Sequence, residues 1–169
     1  MLRRRSPLPF LIAAVCVAAL LVARSRDRAG DPSFKGAAHA RVQRVVDGDT
    51  VRLAGLGGVR LIGIDTPEVH GGSIECFGPE ASAFAQALLP RGTEIRYRVG
   101  RRARDRYGRL LAYVWLADGR MVNRLLAERG YATPLAIAPN DALAPAFRRA
   151  AAEARAAHRG MWARAGCAH

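Results

Sequence analysis

Three short stretches gather residue types that handle phosphate. Asp47-Gly48-Asp49-Thr50 sets two carboxylates around a glycine. Arg60-Leu61-Ile62-Gly63-Ile64-Asp65-Thr66-Pro67-Glu68 carries one arginine and two more acids. Asp105-Arg106-Tyr107-Gly108-Arg109 adds two arginines and a tyrosine. Singly, each has a structural reading: Asp-Gly is a common turn, Asp-Thr-Pro a common strand exit, and an arginine-rich run such as residues 91–109, with eight Arg against two acids, a solvated face. Together they compose a site for hydrolysing a phosphodiester on a hard cation. Asp49 and Asp65 end adjacent strands, so their carboxylates can converge, and oxygen donors without a neighbouring Cys or His favour Ca²⁺ or Mg²⁺ over zinc. Glu68 lies three residues beyond Asp65 and can take a proton from water. Arg60 and Arg109 can grip the phosphate, their planar forks matching the added charge of a five-coordinate transition state.

These residues need a rigid frame. Ala40 to Leu53 reads as β, broken by the Asp47-Gly48-Asp49 turn, and Val59 to Asp65 as a further strand. Gly78-Pro79-Glu80 opens a helix that stops at Pro90. Thr93 to Val99 alternates Ile95, Tyr97 and Val99 with Arg96 and Arg98, and Leu110 to Leu116 is another strand. Met121 to Arg129 is helical with Gly130 as its stop, and Asp141 to His158 is a long Ala/Arg helix stopped by Gly160. The pattern predicts an α+β chain: a small OB-type five-stranded β-barrel with three helices, whose open face binds strands of nucleic acid.

The 169 residues suit one domain with a short appendage, and half of them are apolar, enough for a core. A formal charge of +13 calls for a polyanionic partner, nucleic acid or an anionic membrane face. Arg3, Arg4 and Arg5 precede an unbroken apolar run, Pro7 to Ala23. Residues 1–24 therefore read as a signal peptide or a signal-anchor helix, 25–39 as a linker and 40–169 as the folded domain. Export follows, with the domain either secreted or anchored outside the cytoplasm. No small-x-small cleavage site ends the apolar run, and Ala38-His39-Ala40 lies too far along. Cys16 falls in the run, leaving Cys76 and Cys167 to pair in an oxidising compartment or to stay as two buried thiols. A bridge would close a loop of about 90 residues, worth roughly 4 kcal/mol on the chain-entropy view.

The runs VDGDTVRL, RLIGIDTPE, FGPEASAF, DRYGRLLAYVW, ADGRMVN and the closing GMW, in order from Val42 to Trp162, resemble the staphylococcal nuclease (thermonuclease) family. The resemblance implies an OB-type barrel and Ca²⁺-dependent hydrolysis of DNA and RNA, single strands preferred, leaving 3′-phosphate and 5′-hydroxyl ends; Mg²⁺ and Mn²⁺ are not excluded. By position it implies calcium carboxylates at Asp49 and Asp65, a calcium-binding carbonyl at Thr66, a general base at Glu68 and phosphate-binding arginines at Arg60 and Arg109. Asp47 falls beside the metal, behind its direct ligands. Arg106 and Tyr107 take the places of a nucleotide-contacting lysine and tyrosine, keeping the charge and the ring.

Two stretches depart from the family pattern. Thr133 to Pro139 is one residue shorter and lacks the family's two tyrosines, and the loop Val69 to Phe77 holds His70, Gly71-Gly72 and Cys76. His70 reads as solvated, with a second base or a metal ligand as the alternative; Trp115 and Trp162 read as core. A Cys76–Cys167 bridge would tie this loop to the tail. The expected protein is a monomeric nuclease, touching a membrane through its leader if that is uncleaved. The alternative is a catalytically inactive OB-fold module that holds nucleic acid at the cell surface.

Overall fold

The computed structural model describes residues 34, 36–69, 74–164 and 167; the leader read at 1–24, most of the linker and His70 lie outside them. The elements run β1 (Ala38–Val45), β2 (Thr50–Leu53), β3 (Gly57–Leu61), β4 (Ile64–Asp65), α1 (Gly78–Leu88), β5 (Glu94–Arg104), β6 (Leu110–Leu116), α2 (Val122–Glu128), β7 (Thr133–Pro134) and α3 (Ala144–Ala156), then a 3₁₀ turn at Gly160–Ala163. Five strands close into a barrel in the order β1-β2-β3-β6-β5, and β4 and β7 form a separate two-stranded sheet. All barrel pairs are antiparallel except β3 with β6. This is the OB-type architecture expected of the sequence.

Inward-facing side chains fill the barrel: Val51, Leu53, Val59, Leu61, Ile95, Val114 and Trp115 are essentially inaccessible. Trp115 is thus core, as expected. Phe34 stacks edge-on to it at 6.4 Å, so packing reaches back into the tail of the linker. Helix α3 covers one end through Phe147, Ala150, Ala151 and Ala154, which recur on one side of the helix. Trp162 is only half-buried and joins Tyr131 against a satellite cluster of Phe77, Met161 and Cys167.

Beyond shifts of a residue or two, such as β1 starting at Ala38 and α3 ending at Ala156, three boundaries differ from the sequence reading for a physical reason. The strand expected over Val59–Asp65 breaks at Gly63, whose φ of +87° is open to glycine. A Cβ there would sit 2.1 Å from a Phe147 ring carbon, so helix and strand meet where only a hydrogen fits. Strand β5 runs past Val99 to Arg104 because the buried Asn140 carboxamide pairs with the Arg102 backbone, accepting its N–H at 3.0 Å and donating to its carbonyl at 2.9 Å. The α3 region forms helix only from Ala144, with Pro145 in its first turn, rather than from Asp141.

Candidate active site

The β1–β2 turn positions Asp49. Val46 and Asp47 both donate backbone N–H to the Thr50 carbonyl, and Asp49 N–H donates to Asp47 Oδ1 at 3.0 Å. Gly48 leaves room for the strand exit after β4: a Cβ there would lie 2.6 Å from Thr66 Oγ1. Thr66 therefore lies across the turn, and its N–H and hydroxyl donate to Asp49 Oδ2 at 2.9 and 3.0 Å. Asp65 and Asp49 are thereby neighbours, although β4 has left the barrel.

Arg60 spans them. The β2–β3 register sets it opposite Thr50, and its side chain, only 12 % exposed, places Nε 2.9 Å from Asp49 Oδ1 and Nη2 2.6 Å from Asp65 Oδ1. Nη1 donates to the carbonyls of Leu61 and Ile64. Burial pushes Asp49 up to about 6, against the opposing pull of Arg60 and of the Thr66 N–H, with Asp47 adding repulsion. Asp65 is half exposed. Glu68 is exposed at the same rim; its carboxyl is raised by partial burial and then by the negative charges of Asp47, Asp65 and Glu75, with Arg60 acting the other way. Its backbone N–H donates to Glu75 Oε2 at 2.9 Å.

Arg109 reaches the same place from the β5–β6 turn. Asp105 organises that turn, accepting the N–H groups of Tyr107 and Arg109 on Oδ1, each at 2.9 Å, and Arg109 Nε on Oδ2 at 2.7 Å. Burial alone would raise Asp105, but the Arg109 side-chain and backbone bonds outweigh it and hold the carboxyl below its usual range. Arg109 Nη1 donates to Thr50 Oγ1 at 3.2 Å, and that hydroxyl lies 3.3 Å from Asp49 Oδ1. Tyr107 is 68 % exposed, with the Arg106 guanidinium 4.7 Å and the Arg109 guanidinium 5.5 Å from its ring centre.

Both catalytic-candidate arginines line a cleft of about 560 Å³, together with Arg102, Arg104, Arg106 and Tyr107. Its apolar walls include Ile62, Leu111, Leu135 and Ile137, so aliphatic side chains stand where the sequence lacks tyrosines. The structure thus brings Asp47, Asp49, Asp65, Thr66, Arg60, Glu68 and Arg109 to one rim, with Arg106 and Tyr107 beside them. Cys76 and Cys167 are bridged, with Cα atoms 5.2 Å apart, and line a second cleft with Asp65, Thr66 and Pro67. Three contributors had no role in the sequence reading: Thr50, inside the first stretch, whose hydroxyl links Arg109 to Asp49; Asp105, inside the third, which orients Arg109; and Glu75, outside all of them. Only the Asp105–Arg109 spacing carried a local signal.

Among the described residues no three His, Cys, Asp or Glu side chains converge as a ready metal cage. The two aspartates converge instead on one guanidinium, which acts as their counter-ion. That donor set of carboxylate and carbonyl oxygen is compatible with a hard divalent cation and unsuited to a soft one.

A closed OB-type barrel with acids and arginines opposed at one rim, beside an arginine-lined cleft, defines a phosphate-handling barrel domain. The family model for staphylococcal nuclease homologues matches residues 58–164. The thermonuclease of Staphylococcus intermedius is 38 % identical over 128 residues, covering 73 % of this chain and 75 % of its own length. That of Staphylococcus hyicus is 35 % identical over 127 residues, covering 72 % and 74 %. The endonuclease YhcR of Bacillus subtilis is 35 % identical over 144 residues, 78 % of this chain but only 12 % of that larger protein. The chain belongs to the staphylococcal nuclease family.

Proposed function

We propose that this protein is a nuclease, hydrolysing DNA and RNA phosphodiesters with Ca²⁺ to leave 3′-phosphate and 5′-hydroxyl ends. The observation that carries this reading is the Arg60 guanidinium bridging Asp49 and Asp65 while Arg109 reaches Asp49 through Thr50. Two carboxylates, two arginines and an exposed glutamate at one rim are the parts that phosphodiester hydrolysis needs.

Asp49 and Asp65, with the Thr66 carbonyl, would hold the cation, and Asp47 would orient Asp49 through the turn. When bound, Ca²⁺ supplies positive charge for a phosphate oxygen and for the attacking water. Glu68 takes the proton from that water, and a carboxyl raised above its ordinary value is the stronger base for that step. Water oxygen bonds to phosphorus as the P–O5′ bond breaks, so phosphate stays on the 3′ side and the 5′ oxygen leaves as a hydroxyl after protonation. Arg60 and Arg109 offset the charge that builds on the equatorial oxygens. Asp105 fixes Arg109 Nε, which turns the remaining donors toward the cleft. Arg106 and Tyr107 bind the adjoining nucleotide, the ring exposed for stacking. The cleft's arginines favour a polyanion, and unpaired strands fit it because their bases are free to leave the stack.

The chain acts as a monomer after export, secreted or held by its leader. No helix of the described residues is long and apolar enough to cross a membrane, and the leader lies outside them. The test is digestion of end-labelled denatured DNA and RNA by the full chain with Ca²⁺, Mg²⁺, Mn²⁺ or chelator. Expected are Ca²⁺-dependent fragments with 3′-phosphates. An oligonucleotide that is retained but stays intact under every condition would overturn the reading in favour of a binding module.

A further inference from the structure

Glu68 lies on a segment without regular structure, and its position depends on what grips its backbone. Glu75 grips both sides: its Oε2 accepts the Glu68 N–H at 2.9 Å, and its own N–H donates to the Glu68 carbonyl at 2.9 Å. Behind that pair, a Cβ on Gly78 would come 2.5 Å from the Glu68 oxygen, so the start of α1 sits directly against it. Next to Glu75, Cys76 is bonded to Cys167. Phe77 then turns in the left-handed region, φ 72°, and packs with Met161 and Cys167.

The far end of this linkage is anchored in the fold. Met161 N–H donates to the Gly130 carbonyl at 2.9 Å, and Gly130 and Gly160 approach so closely that a Cβ on either would lie within 2.3 Å of a backbone oxygen. Arg164 pairs with Glu80 of α1 at 2.9 Å. The tail is therefore fixed where α2 ends and reaches the Glu68 segment through Cys167, Cys76 and Glu75. Between the strand exit and the bridge lies a cleft of about 510 Å³ lined by Asp65, Thr66, Pro67, Glu75 and both cysteines. Among the described residues no barrel strand lines that cleft, so on this side the Glu68 segment is held by Glu75, the start of α1 and the bridge.

We propose that Glu75 and the Cys76–Cys167 bridge are positioning elements for Glu68, making turnover depend on the oxidised tail. The proposal rests on Glu68 as the base. Reduction by a dithiol gives two thiols and the reagent's own disulfide, two electrons and two protons passing to the protein sulfurs. The reduced chain keeps its substrate cleft, which lies on other elements, but loses the fixed placement of Glu68. A base displaced by about 1 Å costs up to about a hundredfold in rate.

The experiment compares full-length wild type, Glu75→Ala, Glu75→Gln, the double variant Cys76→Ser/Cys167→Ser and Glu68→Gln on a single-stranded oligonucleotide with Ca²⁺. Circular dichroism at the assay temperature establishes that each is folded. Expected is a fall in kcat of at least about tenfold for Glu75→Ala and the serine pair, with KM within about twofold. Glu75→Gln, whose amide oxygen still accepts the Glu68 N–H, should recover most of kcat. If the serine pair does not fold, native wild type treated with dithiol and capped with iodoacetamide gives the same readout, and uncapped samples should recover on reoxidation. Unchanged kcat after bridge loss, or a Gln variant no better than Ala, overturns the proposal. Full turnover by Glu68→Gln instead overturns the base assignment beneath it.

Discussion

Replacing Asp49 by asparagine should stabilise the metal-free protein while removing its activity. The Asp49 side chain is 7 % exposed, and burial raises its carboxyl from 3.8 to about 6 even with Arg60 at 2.9 Å. A carboxyl raised on folding holds its proton more tightly in the native chain than in the unfolded one. The penalty is therefore absent below the unfolded value, grows as pH rises toward 6 and is complete above it. A little over two pH units at ~1.4 kcal/mol each gives about 3 kcal/mol at neutral pH. Asparagine resembles the protonated acid and still offers an oxygen to Thr66. Its amide nitrogen faces Arg60 and leaves that guanidinium without its acceptor, which takes back about 1–3 kcal/mol. Urea unfolding with chelator at pH 7 should thus favour Asp49→Asn by at most about 2 kcal/mol, the advantage vanishing below pH 4. A variant less stable than wild type by the same margin at every pH would refute the claim that burial governs this site.

Other outcomes follow from individual side chains. Asp105→Asn should lower kcat by freeing Arg109 Nε; because Asp105 is held below 3.8, its contribution to stability is present above that pH and lost as pH falls through the native value, so the two unfolding curves should meet in acid. Gly63→Ala forces a side chain onto a +87° φ and into Phe147, and calorimetry should show a loss of about 3 kcal/mol together with weaker activity, since Asp65 follows the bend. Arg102→Ala/Arg104→Ala should flatten the logarithmic salt dependence of single-strand binding by about 1.4, at ~0.7 for each phosphate no longer neutralised; an unchanged slope would remove these two arginines from the strand's path.

The sequence carried what is local. The Asp47-Gly48-Asp49 turn, the Asp65-Thr66 strand exit and the arginines flanking Tyr107 are short patterns whose chemistry is readable from residue types. The succession of strands and helices along the chain followed from alternation and from glycine and proline stops. What escaped depends on distant partners. Asn140 extends β5 from 38 residues away, Thr66 fastens Asp49 across 17, and Asn123 donates to the Ile62 carbonyl across 61. No window of sequence contains both halves of such a pairing. Gly63 read as one more residue of a strand, because the Phe147 ring that leaves no room for a side chain there comes from a helix more than 80 residues later.

The distribution of charge explains why an arginine stands between the two aspartates. The chain carries +13 overall with only 14 acids, yet Asp47, Asp49, Asp65, Glu68 and Glu75 act on one another at a single rim. Burying Asp49 raises its carboxyl, the repulsion of Asp47 adds to that, and Arg60 is the fixed cation that opposes both. Beside it the cleft holds Arg102, Arg104 and Arg106. On the proposed function, the basic walls would draw in a phosphate chain, and the acids would mark where along it a divalent cation is held. A neutral rim would fold more stably and bind nucleic acid as well. On the proposed mechanism it would lack both the place for the ion and the base for the water, so the acids are a cost in stability that the proposed hydrolysis accounts for.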